Sequence, residues 1–216
     1  MSAKGTKNVL GCGDTDEMID LTAARLLRTS RNYRIYDHPT VAGALLKVRS
    51  DVPVRRHLVP RYGEWRYGNL RQWNREANEY LAALHRGCPE VERLARFMGY
   101  ERTNEGPAMV VEKMTDPEGK LAPTVREELE ALPKGDPRRR KLLNELMELV
   151  DDLERGRIIV GDLSTDNIVR AQERGGRLVV IDGLGERVLL PLTVFSRYAF
   201  RKSLERRRAG LAIGFD

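Results

Sequence analysis

The stretch that decides the fold is IIVGDLSTDNIV, residues 158–169, followed by LVVIDGLG, residues 178–185. In each stretch a short apolar run of strand type ends at or just before an aspartate, Asp162 or Asp182. Asn167 follows Asp162 within the same loop. If the two runs pair as strands, both carboxylates and the amide lie at one edge of the sheet. The alternative is that each aspartate only caps a turn.

Two carboxylates and an amide oxygen are hard donors that suit Mg²⁺, which binds through one or two carboxylates plus substrate phosphates. One of the acids can also orient a hydroxyl group or accept its proton. The pattern D-x-x-x-x-N, with an Asp-Gly pair starting at Asp182, is typical of protein-kinase-like phosphotransferases. The spaced set therefore favours a phosphotransfer site over independent turn caps.

The upstream half contains the cation that such a site needs. Short runs over residues 21–48 predict two or three antiparallel strands, and Lys47 ends the last of them. Asn69 is predicted to cap a helix that runs to about Arg86, with Glu76 one turn from Trp73 and Tyr80. The predicted apolar face of this helix comprises Leu70, Trp73, Ala77, Tyr80, Leu81 and Leu84. A Lys47–Glu76 ion pair would offset the cost of burying either charge, with Glu79 as the rival partner. A lysine at a strand edge in water is the alternative for Lys47.

Other elements are predicted from periodicity and turn residues. Residues 91–98 indicate a short helix, and AMVVEKM, residues 108–114, indicates a buried strand that leads into a connector. Backbone groups of Glu112 and Met114 are predicted to bond an adenine ring there, although many strands that lead into turns share this pattern. A longer helix is predicted from Asp136-Pro137 to a stop at Gly156.

Composition limits the classes of function. The chain has 216 residues, 41% of them hydrophobic, a formal net charge of +6 and two cysteines. No apolar run approaches the ~18 residues of a membrane span, and the first residues lack the apolar segment of a secretory signal. These features predict a cytoplasmic protein without disulfides, and the three histidines have no zinc-ligand spacing with the cysteines.

The second half also resembles a known family. Residues 156–208 are similar to the PhoP regulatory network YrbL-type proteins, members of the protein-kinase-like superfamily. The markers are the D-L-x-x-x-N-I loop, the D-x-x-G-E turn, the sequence LLPL and an aromatic, basic tail. The resemblance implies an α+β, two-lobed protein-kinase-like fold with a small antiparallel-sheet N-lobe and a shortened helical C-lobe. The expected division is a flexible tail over residues 1–18, the N-lobe over 19–115 and the reduced C-lobe over 116–216.

The resemblance also implies a site for ATP and Mg²⁺. Lys47 would contact the α- and β-phosphates, and Glu76 would position it. Asp162 would be the catalytic base, and Asn167 and Asp182 would bind Mg²⁺. The partners are then a nucleotide and an unidentified hydroxyl-bearing substrate.

The sequence departs from the kinase pattern in ways that favour an alternative, a non-catalytic kinase-like regulator. The first turn, RTSRNYR (residues 28–34), has no glycine, so backbone N–H groups approach phosphates less easily. Ser30, with its arginine neighbours, is predicted to supply side-chain donors instead. The Asp-Phe-Gly signature is replaced by Asp-Gly-Leu-Gly at residues 182–185.

Two basic segments lie outside the predicted site. Residues 50–68 form an arginine- and aromatic-rich insert, with a surface loop favoured over a lid. The tail is predicted to be a basic helix whose Phe195, Tyr198 and Leu204 pack on the C-lobe, and peripheral contact with anionic lipid is the second interpretation. No RNA-binding motif is present, and the sequence does not predict the oligomeric state.

Overall fold

The computed structural model describes residues 18–30, 33–50, 67–186, 196–213 and 215. The predicted flexible tail therefore lies outside the described residues except for Met18, as do residues 51–66 of the insert. The prediction that Phe195 packs on the C-lobe also falls outside them.

The first lobe is built on one five-stranded antiparallel sheet. The strands lie in the order β1-β2-β3-β5-β4 and comprise β1 (Leu26–Thr29), β2 (Tyr33–Asp37), β3 (Ala44–Arg49), β4 (Phe97–Thr103) and β5 (Gly106–Glu112). The first three were predicted from the sequence, and β3 is buried over five of its six residues. In this sheet Lys47 pairs with Ile35 of β2 and with Met109 of β5, so it lies at the centre of the sheet.

Helix α1 (Arg71–His85) connects β3 to β4 and packs against the sheet through Trp73, which is buried with Tyr33 and Met109. A 3-10 turn (Gly68–Leu70) precedes it, and Leu70 occupies the cap position, so the prediction of Asn69 as the cap is wrong. Of the predicted apolar face, Trp73 and Tyr80 are buried, whereas Leu81 and Leu84 are exposed. Leu81 is 63% exposed, whereas the acidic residues Glu76 and Glu79 are buried.

The second lobe is helical around a small hairpin. It comprises α2 (Val125–Glu130), α3 (Pro137–Arg155), β6 (Ile168–Ala171), β7 (Arg177–Val180) and α4 (Arg197–Ile213), with 3-10 turns at Pro89–Arg93, Thr165–Asn167 and Gln172–Arg174. Helix α3 begins and ends as predicted, with Asp136 accepting a hydrogen bond from the Arg138 N–H and Gly156 at the C-cap. Its apolar side anchors the lobe's core, because Leu146, Leu149 and Leu153 have essentially no exposed surface.

Two sequence predictions of local structure are wrong. Residues 91–98 do not form an α-helix, because a 3-10 turn begins at Pro89 and β4 begins at Phe97. The run RIIV (residues 157–160) does not pair as a strand with LVVID (residues 178–182), because β7 pairs with β6 instead. The run is joined to the second stretch by a single bridge between Val160 and Leu184.

Helix α4 packs on the C-lobe as predicted, but through a different set of side chains. Phe200, Leu204 and Leu211 are buried in the core, whereas Tyr198 is 74% exposed. Within the described ranges, none of the helices combines the length and apolarity that a bilayer-crossing segment requires.

The arrangement confirms the predicted fold class. Within the described residues, a five-stranded antiparallel sheet has helix α1 between β3 and β4, and a connector after β5 leads into a helical lobe. This is the two-lobed protein-kinase-like fold, and its helical lobe is short.

Candidate active site

A cleft lies between the two lobes, and three of the predicted site residues line it: Lys47, Glu112 and Met114. The cleft encloses about 450 Å³, including its open mouth, and its lining is mainly apolar. Ile35 and Leu45 line it from the sheet, and Val169 and Ile181 line it from the C-lobe. Two opposed apolar walls form a slot that suits a flat ring system. Lys47 lies among the residues that line this slot.

Lys47 reaches from the sheet to the C-lobe. Its ammonium group donates a hydrogen bond to the Ile181 carbonyl at 2.8 Å and lies 3.5 Å from an Asp182 carboxylate oxygen. The residue is only 4% exposed. The alternative of a strand-edge lysine in water is therefore wrong. A buried ammonium group needs hydrogen-bonding and charged partners such as these.

Glu76 and Asp182 share one hydrogen-bonded cluster with Lys47. The Gln72 amide donates to Glu76 at 3.0 Å and to Asp182 at 3.2 Å, so it bridges the helix and the Asp-Gly turn. The direct charge contact of Lys47 is thus with Asp182, and Glu76 acts on the lysine through this shared cluster. Gln72 was missed in the sequence, although it lies one helical turn before Glu76 on the same face.

The two carboxyl groups of this cluster have opposite pKa shifts. Burial, together with the negative charge of Asp182, raises the pKa of Glu76 to about 8. Burial also acts to raise the pKa of Asp182, but the charge of Lys47 and hydrogen bonds from Glu76 and the Gly183 N–H outweigh it and lower that pKa. At neutral pH Glu76 therefore holds a proton that it donates to an ionised Asp182.

The loop that contains Asp162 is held directly against the Asp-Gly turn. The Asp162 N–H donates to the Gly183 carbonyl at 3.0 Å, and the Asn167 side-chain amide donates to the Asp162 carbonyl at 2.9 Å. Gly183 has a φ of +83°, and a Cβ there would lie 2.7 Å from the Asp162 carbonyl oxygen. Glycine is therefore required both by the backbone conformation and by the close approach.

Helix α1 is anchored to the same loop from the other side. Glu79 accepts a hydrogen bond from the Ile159 N–H at 3.1 Å and one from Arg86 at 3.3 Å. Burial raises the pKa of Glu79, and the hydrogen bond from Ile159 opposes that shift. Among the described contacts, Glu79 thus binds the backbone that leads into the Asp162 loop, and it is not the partner of Lys47.

Glu112 and Met114, whose backbone groups are predicted to bond an adenine ring, are among the residues that line the cleft. The Glu112 carboxylate is held by Arg174 at 2.7 Å, and the Met114 carbonyl accepts from the Ala122 N–H at 3.0 Å. The next residue, Thr115, is bound by the Glu173 carboxylate through both its hydroxyl and its N–H. The turn between β6 and β7 thus fixes the connector to the C-lobe.

Ser30 lies in the turn between β1 and β2, and its hydroxyl hydrogen-bonds the backbone of Tyr33, accepting from the N–H and donating to the carbonyl. A phosphate ligand would have to compete with these bonds. Near it, Arg28 lines the cleft, and one of its guanidinium nitrogens donates to both carboxylate oxygens of Glu127 of α2, at 2.9 and 3.0 Å. This ion pair connects the lobes across the cleft and was not predicted from the sequence.

The donor set is compatible with Mg²⁺ bound together with a nucleotide. Asp182 is ionised, and Asn167 uses its amide nitrogen on Asp162, which leaves its oxygen for a metal. Within the described ranges no cluster of three or more His, Cys, Asp or Glu side chains could hold a metal by itself. The residues therefore suit an ion that also takes oxygens from phosphates and water.

A lysine from the sheet, an acidic turn and an aspartate–asparagine loop around an interlobe cleft define a kinase-like protein. The family model for the PhoP regulatory network protein YrbL matches residues 19–212. The chain belongs to this family.

The matches to this chain include curated relatives and solved structures. The chain is 28% identical over 193 residues to the YrbL protein of Escherichia coli (strain K12), covering 88% of this chain and 84% of the relative. The YrbL protein of Shigella flexneri matches with the same figures. Among solved structures, Rad53 1–466 in complex with AMP-PNP aligns at a TM-score of 0.47 and 17% identity, over 74% of this chain and 37% of that one. Another solved structure, described as a kinase domain, aligns at a TM-score of 0.46 and 12% identity, over 67% of this chain and 38% of that one.

Proposed function

We propose that this protein is an ATP- and Mg²⁺-dependent phosphotransferase that acts on a hydroxyl-bearing acceptor. The observation that carries the proposal is that Lys47, which lines the apolar interlobe cleft, lies 3.5 Å from Asp182, with the Asp162 loop bonded to the same turn. An apolar slot that ends in a cation and metal-type oxygens matches the two ends of a nucleotide, a base and its phosphates.

Each residue has a role in this proposal. The slot holds the adenine, with backbone groups of Glu112 and Met114 at its edge. Lys47 binds the α- and β-phosphates, and Glu76, once it has lost its proton, positions the lysine. Asn167 and Asp182 hold Mg²⁺, which would neutralise charge on the phosphates.

Asp162 acts on the acceptor. It orients the hydroxyl group and takes its proton as the acceptor oxygen bonds to the γ-phosphorus and ADP leaves. The chain's contribution is mainly positioning, because the Gly183 contact and the Asn167 hydrogen bond fix the backbone on either side of this carboxylate.

The test is a search for phosphorylated products with γ-labelled ATP, comparing the wild type with Asp162→Asn. We expect a labelled product that falls by at least about 100-fold in the variant, which is the usual contribution of a positioned base. Equal label transfer by both proteins would exclude Asp162 as the base.

A second candidate is a kinase-like regulator that binds nucleotide or a partner without turnover. The observation that favours it is the first turn, where Ser30 already uses its hydroxyl on Tyr33 and no glycine supplies a free backbone N–H. Nucleotide binding to the wild type without any labelled product, over a broad acceptor screen, would favour the regulator.

A further inference from the structure

A second cavity lies in the C-lobe, between the C-terminal end of α3 and the first turns of α4. It spans about 550 Å³, including space open to solvent, and shares no lining residue with the interlobe cleft. We call it the arginine pocket, and it is lined by Glu154, Arg155, Arg157, Arg197, Phe200 and Arg201. Four positive charges thus face one acidic side chain in the lining.

Only part of this positive charge is neutralised inside the protein. Arg201 pairs with Glu154 at 3.0 Å, and Arg155 pairs with Asp152 and with Glu90. In the part of the chain that the structure describes, neither Arg157 nor Arg197 has an acidic side chain within 4.0 Å. The pocket therefore presents two uncompensated guanidinium groups.

The backbone at Arg157 gives a second, independent observation. Its φ is +51°, and it is the one non-glycine residue with a positive φ among the residues described. It follows the C-cap of α3, where glycine is the residue that adopts this conformation without strain. An arginine kept in a strained backbone conformation indicates that its side chain, rather than the turn, is needed.

We propose that the arginine pocket binds a small phosphate-bearing ligand. A guanidinium group donates two parallel hydrogen bonds to phosphate oxygens, and two unpaired arginines match the charge of a phosphomonoester or diphosphate group. Phe200 adds an apolar wall next to these donors. The site is separate from the proposed phosphotransfer chemistry, because none of its residues belongs to the cleft.

The test is isothermal titration of the full chain with inorganic pyrophosphate at constant ionic strength. All titrations use a protein that carries Lys47→Ala, because this substitution weakens pyrophosphate binding in the cleft. We expect saturable binding that weakens at least about tenfold in Arg157→Gly and in Arg197→Ala, since each loses charge-assisted hydrogen bonds. The matched controls, Lys202→Ala and Arg206→Ala, remove the same charge from α4 outside the pocket and should change the affinity less than about twofold.

Arg157→Gly separates a loss of pyrophosphate binding from a loss of folding. Glycine suits the φ of +51°, so the melting temperature should equal or exceed that of Arg157→Ala while pyrophosphate binding is lost in both. Binding that persists in a folded Arg157→Gly protein would overturn the proposal. So would equal losses in the pocket variants and the controls, or binding to phosphatidylserine vesicles without any to pyrophosphate. Failure of ATP turnover would leave this result unaffected.

Discussion

Replacing Gly183 by alanine tests whether the close contact between the Asp-Gly turn and the Asp162 loop holds the site together. The new Cβ would lie 2.7 Å from the Asp162 carbonyl oxygen, 2.9 Å from the Asp162 Cβ and 3.2 Å from the Asn167 amide nitrogen. Two of these three neighbours are fixed by the backbone, so the loop itself must move. The substitution therefore displaces the proposed base and the proposed metal ligand together.

The expected cost has two parts. The φ of +83° costs an alanine about 1–2 kcal/mol because left-handed backbone is unfavourable for residues with a Cβ. Forcing the loop away adds about 1–3 kcal/mol, as for other overpacked contacts. The free energy of unfolding should thus fall by about 2–5 kcal/mol.

Gly176→Ala is the matched control. Gly176 has a φ of +77°, and a Cβ there would meet no heavy atom within 4 Å, so the control carries only the cost of the backbone conformation. Urea unfolding should show a loss of about 1–2 kcal/mol for the control and a larger one for Gly183→Ala. Mg²⁺-dependent ATP binding should survive in the control alone. Equal losses of stability and equal binding in the two variants would refute the reasoning.

Three further predictions follow from single contacts. Burial holds the folded-state pKa of Glu76 near 8, above its ordinary 4.5, so the contribution of Glu76 to stability is complete below about pH 4.5 and is lost as the pH rises through 8. Glu76→Gln should therefore flatten this part of a profile of melting temperature against pH. A profile that Glu76→Gln leaves unchanged would contradict this prediction. Leu146→Ala should cost about 2–5 kcal/mol in urea unfolding, since Leu146 has no exposed surface, and a loss below about 1 kcal/mol would contradict that packing. Glu173→Ala should speed hydrogen exchange at the Thr115 amide while exchange in α3 stays unchanged; unchanged exchange at Thr115 would show that the connector is fixed by other contacts.

The sequence predicted the elements whose patterns are local. The strands around Lys47 and the helix from Asp136 to Gly156 follow from periodicity, turn residues and capping. Helix α1 was predicted with nearly correct bounds, but Leu81 and Leu84 of its predicted apolar face are exposed. Glu76 and Glu79 are buried by partners distant in sequence, such as Ile159, and apolar periodicity alone does not reveal them.

The candidate site was predicted by residue type and spacing, but not by its contacts. The spacing of Asp162, Asn167 and Asp182 indicated a cluster, and the structure brings their loops together. The predicted pairing of RIIV with LVVID was wrong because β7 pairs with β6, and the contact is made by a bridge and by Gly183. The contact of Lys47 with Asp182 depends on the closure of two lobes, which a linear pattern does not contain.

The most direct test of the central claim, that the cleft binds a nucleotide through Lys47, Asn167 and Asp182, is isothermal titration of the full chain with ATP in the presence and absence of Mg²⁺. We predict saturable, one-site binding that requires Mg²⁺ and weakens at least about tenfold in Asp182→Asn, which removes the charged ligand but keeps its shape. The Gly176→Ala protein should bind as the wild type does. Absence of binding by the wild type, or Mg²⁺-independent binding that Asp182→Asn leaves unchanged, would contradict the account.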